Sequence, residues 1–199
     1  MKDLTQGNEG KLIFFFALPM LIGNVLQQLY NTVDGIIVGR ILGETALAAV
    51  GVSFPIMFLL IALMLGVGMG STILIAQFYG AKDYENTRKT IDTVMITNYI
   101  LSIAVTILGL IITRPLLNWL KTPPDVIPDA EAYLRVIFIG MIGLIGYNMI
   151  SAILRGLGDS KTPLYFLIIA TVLNIILDIV FILVFHWGVA GAAWATVIS

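Results

Sequence analysis

The stretch LIFFFALPMLIGNVLQQLYNTVDGIIV, residues 12–38, decides the fold. It runs 27 residues without a Lys or Arg and with a single acid, Asp34. About 20 mainly apolar residues suffice to carry an α-helix across the hydrocarbon layer of a bilayer. A soluble core helix is usually shorter and amphipathic, and a secretory signal core covers only about 7–15 residues before a small-residue cleavage site. The stretch therefore reads as a retained membrane span. Within it Asn24, Gln27, Asn31 and Asp34 follow one another by three, four and three residues, so all four share one helical face. Amides on such a face commonly join helices, each contributing on the order of 0.6 kcal/mol. An ionised Asp at mid-span costs about 2.5–3.5 kcal/mol on insertion scales, and such residues mark ion, proton or substrate pathways by default.

The rest of the chain has the same character. Hydrophobic residues make up 59% of the 199 and charged residues 12%; mean hydropathy is +1.00. Soluble domains carry about a quarter charged residues. The apolar runs do not alternate as the strands of an outer-membrane barrel would. The expected class is all-α integral membrane, with helices over about 12–38, 46–79, 90–112, 131–153 and 163–185 and a sixth beginning near 189. Only 11 residues follow to Ser199, too few to cross, so a six-helix lobe with an incomplete last helix, part of a longer protein, is expected.

A net charge of −1 gives no basic surface for nucleic acid. The lack of Cys excludes disulfides and thiolate metal sites. Lys2, Lys11, Lys82, Arg88, Lys89, Arg155 and Lys161 fall on the side of the N-terminus, and Arg40, Arg114, Lys121 and Arg135 on the other. That excess predicts a cytoplasmic N-terminus in a multi-pass protein of the cell membrane. Trp119 and Trp187 then lie at the outer interface, where indole rings favour the headgroup region.

A second acid, Asp178, lies in the fifth span, with Thr171 and Asn174 on the same face. The expected depths of Asp34 and Asp178 differ by only ~5 Å at 1.5 Å per residue. Two carboxylates in one poorly hydrated pocket repel each other and lose solvation. Such a pair suits proton exchange, or capture of a monovalent cation with amide and hydroxyl oxygens completing its shell. Pro19, about four turns below Asp34, removes a helix hydrogen bond and allows a hinge; Pro55 in the second span reads as a static bend. Gly66, Gly68 and Gly70 lie in an apolar helix with no strand before them and no Lys after, so they read as packing or local flexibility rather than a nucleotide loop. The eight Met residues read chiefly as packing. His186 is the single histidine, and no nucleophile–base or metal-protease pattern is present. No enzyme activity, organic cofactor or metal is expected, other than sodium at Asp34 and Asp178.

Several ordered segments carry a family resemblance. They are Pro19-Met20 and Gln28-Leu29-Tyr30-Asn31-Thr32-Val33-Asp34 in the first span, Ala48-Ala49-Val50-Gly51 opening the second, and Ala76-Gln77-Phe78-Tyr79-Gly80-Ala81 closing it. Leu154-Arg155-Gly156-Leu157-Gly158-Asp159 and Leu173-Asn174-Ile175-Ile176-Leu177-Asp178 continue the series. Together they resemble the amino-terminal half of a multidrug and toxic compound extrusion (MATE) transporter. The resemblance implies twelve helices in two six-helix lobes, and export of drugs or other amphipathic cations by antiport with protons or sodium. It also implies that Asp34, Asp178, Asn174 and Thr196 hold the coupling ion and that Pro19 is the bending proline. Gln27, Asn31, Thr171, Tyr133 and Asn148 are candidates for the substrate cavity or its support. The expected partners are an amphipathic small molecule, the bilayer and a carboxy-terminal lobe, supplied by the same full-length chain or by a second copy.

Two rival readings remain. A flippase for lipid-linked precursors should present a basic cavity to phosphate, whereas the intramembrane charges here are acidic. A non-transporting assembly subunit would use its buried acids only to pair with a partner.

Overall fold

The computed structural model describes residues 8–199; Lys2 lies outside the described residues. Six α-helices follow in order: α1 (Glu9–Leu42), α2 (Glu44–Gly80), α3 (Tyr84–Trp119), α4 (Ile127–Gly156), α5 (Lys161–Ile179) and α6 (Gly188–Ile198). Between α5 and α6, Val180–Val184 forms a π-helical turn. Five segments are long and apolar enough to cross a membrane, the fifth being α5 together with its π-turn. The all-helical class and six-helix lobe expected from the sequence are the observed fold.

The helices extend past the apolar stretches that announced them. Hydropathy marks the part of a helix that crosses lipid, whereas caps decide where hydrogen bonding ends. Between α1 and α2 only Gly43 intervenes, at φ 91°, a left-sided conformation that costs glycine little. At the start of α3, Asp83 accepts hydrogen bonds from the Asn86 backbone N–H (3.1 Å) and side-chain amide (2.7 Å). At the start of α5, Asp159 accepts from the backbone N–H of Thr162 (3.0 Å) and Lys161 (3.1 Å) and from the Thr162 hydroxyl (2.7 Å). Each of these acids follows a residue of positive φ, Lys82 and Gly158, which terminates the preceding helix. The two turns at this end of the bundle are thus built alike.

α4 is the central helix and packs against α2, α3 and α6, while α5 packs chiefly on α1. Lipid tails are as apolar as the side chains, so the hydrophobic effect drives association weakly and close backbone approach matters more. Gly140 lets α4 meet Val197 of α6, and Gly156 lets it meet Ile75 of α2. Outward faces are apolar instead. Phe54, Phe58, Ile61, Leu65 and Met69 of α2 recur at helical spacing and are all exposed, the inverse of a soluble helix.

Candidate functional site

Asp34 of α1 and Asp178 of α5 come together. Asp34 stands eight residues before Leu42, and Asp178 six before the end of the π-turn at Val184. On parallel spans that is about 3 Å of offset at 1.5 Å per residue. Asp178 is fully buried and Asp34 is 8% exposed. Their carboxyl groups are close enough to interact directly. One oxygen of each, Oδ1 in both cases, is buried without a hydrogen-bond partner.

Asn174, one turn below Asp178 on α5, is fully buried. Its amide is oriented by its neighbours: the nitrogen donates to Asp178 Oδ2 at 3.1 Å and the oxygen accepts from the Thr196 backbone N–H at 3.2 Å. Asn174 thus braces Asp178 against α6. The Thr196 hydroxyl donates to Ala192 O and accepts from the Tyr30 hydroxyl, each at 3.1 Å. Tyr133 of α4 is buried within electrostatic range of Asp34, Tyr30 and Asp178. Four helices therefore meet at the pair.

The chemistry follows from the charge balance. Among the described residues the ion pairs join Lys89 to Glu85 and Arg114 and Arg135 to Glu131, all outside this pocket. No Lys or Arg among the described residues compensates the two carboxylates. A buried charge without a partner is strongly disfavoured, and one proton shared between the oxygens or one monovalent cation between them would relieve it.

The remaining candidates are placed differently. Gln27 and Asn31 are exposed, as is Asn24, although helical spacing groups them with the buried Asp34. Thr171 donates to Leu167 O of its own helix, one turn below Asn174. Asn148 is not brought to the acids: it faces α2 and α3, beside Ser71 and Asn98. Pro19 is buried in α1, and Gly23 one turn on approaches Leu167 of α5. Tyr30 carries one of the cross-helix bonds and was not singled out by the sequence reading. Its signal was there: four residues before Asp34, it lies on the same helical flank.

Comparison with known proteins completes the picture. The MatE family pattern matches residues 19–180. The Probable multidrug resistance protein YpnP of Bacillus subtilis (strain 168) is 41% identical over 197 residues, covering 99% of this chain and 44% of the relative. The Probable multidrug resistance protein YoeA of the same strain is 43% identical over 188 residues, covering 92% of this chain and 41% of its own. A solved structure described as MATE in the bent conformation superposes with a TM-score of 0.92 at 35% identity, over 100% of this chain and 44% of its own. The chain spans rather less than half the length of each. Six helices, their order and the matched residues agree on one assignment: the chain belongs to the MatE family of membrane transporters.

Proposed function

We propose that the complete protein is a secondary active transporter of the cell membrane, with a cytoplasmic N-terminus, that exports drugs or other amphipathic, cationic small molecules. Protons or sodium ions entering at Asp34 and Asp178 drive the export. The observation that carries this reading is the buried carboxylate pair, drawn from two helices, with an unpartnered oxygen on each side chain and no ion pair to a Lys or Arg among the described residues. The relatives described as multidrug resistance proteins support the substrate class.

In this reading Asn174 holds Asp178 in place, and Thr196 supplies a further oxygen and links the pair to α1 through Tyr30. Arrival of the ion removes the repulsion between α1 and α5, and α1 answers by bending about Pro19. The exposed amides Gln27 and Asn31 line the substrate cavity, completed by a second lobe of the same protein. Coupling requires that ion and substrate favour different states, because a ligand that binds two states equally shifts neither.

The test is ion-driven efflux by the complete protein in proteoliposomes, with imposed pH or sodium gradients. Asp34→Asn and Asp178→Asn are each expected to abolish gradient-driven efflux. Undiminished coupled transport in both variants would sink the assignment.

A further inference from the structure

A second polar cluster lies away from the acids, in the half of the bundle nearer the α2–α3 and α4–α5 turns. Ser71 of α2, Asn98 of α3 and Asn148 of α4 line a cavity of about 10 Å³, with Gly68 and Ala152 in its wall. That is about the room one water molecule needs. Asn98 is 8% exposed and Ser71 6%. Each of the three spends one donor on its own helix: Asn98 on Val94 O (2.8 Å), Asn148 on Leu144 O (2.9 Å) and Ser71 on Val67 O (2.7 Å). Neither amide oxygen accepts a hydrogen bond from another described residue, and each amide keeps a second N–H.

The cavity follows from how the helices close beneath it. The Thr72 hydroxyl donates to Gly68 O (2.9 Å) and Ala152 O (3.0 Å), which joins α2 to α4. Gly156 seats against Ile75 one turn further on. Above this clamp the small residues Gly68 and Ala152 leave space, and the two amides line it.

We infer that this cavity is a one-water site that bridges α2, α3 and α4 through Ser71, Asn98 and Asn148. A water molecule matches the set: it donates one hydrogen to the Ser71 hydroxyl oxygen and the other to one amide oxygen, and it accepts the free N–H of the other amide. Polar groups in a membrane interior find no bulk solvent, so a captive water takes the place of direct contacts between three helices.

The test uses glycine substitutions on one helix of the complete protein. A Cβ at Gly68 would lie 3.8 Å from Ala152 Cβ, so Gly68→Ala fits without a clash and narrows the cavity. A Cβ at Gly66 or Gly70 meets nothing within 4 Å, so Gly66→Ala and Gly70→Ala serve as controls. The controls are expected to hold or raise Tm through helix propensity. Gly68→Ala is expected to lower Tm by several degrees, because it expels the water and strands the amides. A high-resolution map of the wild-type protein should show a single density peak within hydrogen-bonding distance of Asn98 and Asn148, absent in Gly68→Ala. A wild-type map with no peak overturns the inference, as does a Gly68→Ala variant stabilised as much as the controls.

Discussion

The Tyr30 hydroxyl donates to Thr196 Oγ1 at 3.1 Å and so ties α1 to α6 beside the buried carboxylates. The two residues lie 166 positions apart in sequence. Removing the phenol oxygen keeps the ring and its packing. Tyr30→Phe is therefore expected to cost about 0.5–1 kcal/mol, the low end for a neutral hydrogen bond, because Thr196 keeps its own bond to Ala192 O. Thermal melts of Tyr30→Phe, Thr196→Val and the double variant check this. The double variant should cost less than the sum of the singles, since both break the same bond.

Asp178 is expected to lower the stability of the fold. It is fully buried beside a second carboxylate, with one donating amide and no Lys or Arg among the described residues to balance it. Asp178→Asn keeps the shape and removes the charge, so it is expected to raise stability by about 1–2 kcal/mol, in the range seen when uncompensated buried charges are neutralised. The measurement is Tm of the complete protein at pH 8 in sodium-free detergent solution. A drop in Tm would show that the carboxylate is held by favourable contacts, contrary to the charge balance described for the pocket.

The caps of α3 and α5 give stability its acid limb. Backbone N–H donation from Thr162 holds the Asp159 carboxyl below the usual Asp range, and donation from Asn86 does the same for Asp83. A group whose folded pKa is depressed contributes stability above its unfolded pKa, near 3.9, and loses it as pH falls through the folded value. Tm should therefore fall as pH drops below about 4. Asn caps helices about as well as Asp but does not titrate there. Asp159→Asn is expected to melt close to wild type at pH 7 and to fall less steeply with acid. A series of melts from pH 7 to pH 3 resolves the two slopes.

The site was legible where a residue was costly in its surroundings. An Asp within an apolar span is conspicuous, and period-3.6 counting put Asn174 on the face of Asp178. Tyr30 was not conspicuous, because a Tyr in an apolar run reads as packing until its hydroxyl is seen to reach Thr196. Asn148 shows the opposite limit. Its polarity was visible, but which neighbour a helix face meets depends on tertiary packing, and α4 turns that face to α2 and α3. Helix ends were underestimated for a different reason. Hydropathy reports the lipid-crossing part, whereas Asp83 and Asp159 start their helices through hydrogen bonds outside it. At the α1–α2 corner a single glycine, Gly43, reverses the chain where a longer loop was expected.

Close approach of α4 to α6 depends on Gly140. A Cβ built there would fall 2.9 Å from Val197 Cβ and nearer still to its methyl groups, and both backbones lie in packed helices. Gly140→Ala is expected to cost about 1–3 kcal/mol through overpacking. Val197→Ala removes those methyls, so the double variant should recover most of the loss. Gly143 of the same helix is the internal control: a Cβ there meets nothing within 4 Å, and Gly143→Ala should be neutral or slightly stabilising through helix propensity. Thermal melts of the four proteins form a double-mutant cycle plus control. Strictly additive losses at Gly140 and Val197 would mean that α6 moves away from α4 instead of resisting. Because Thr196 directly precedes Val197, such a displacement would also break its bonds to Tyr30 and Asn174 and leave Asp178 without its brace.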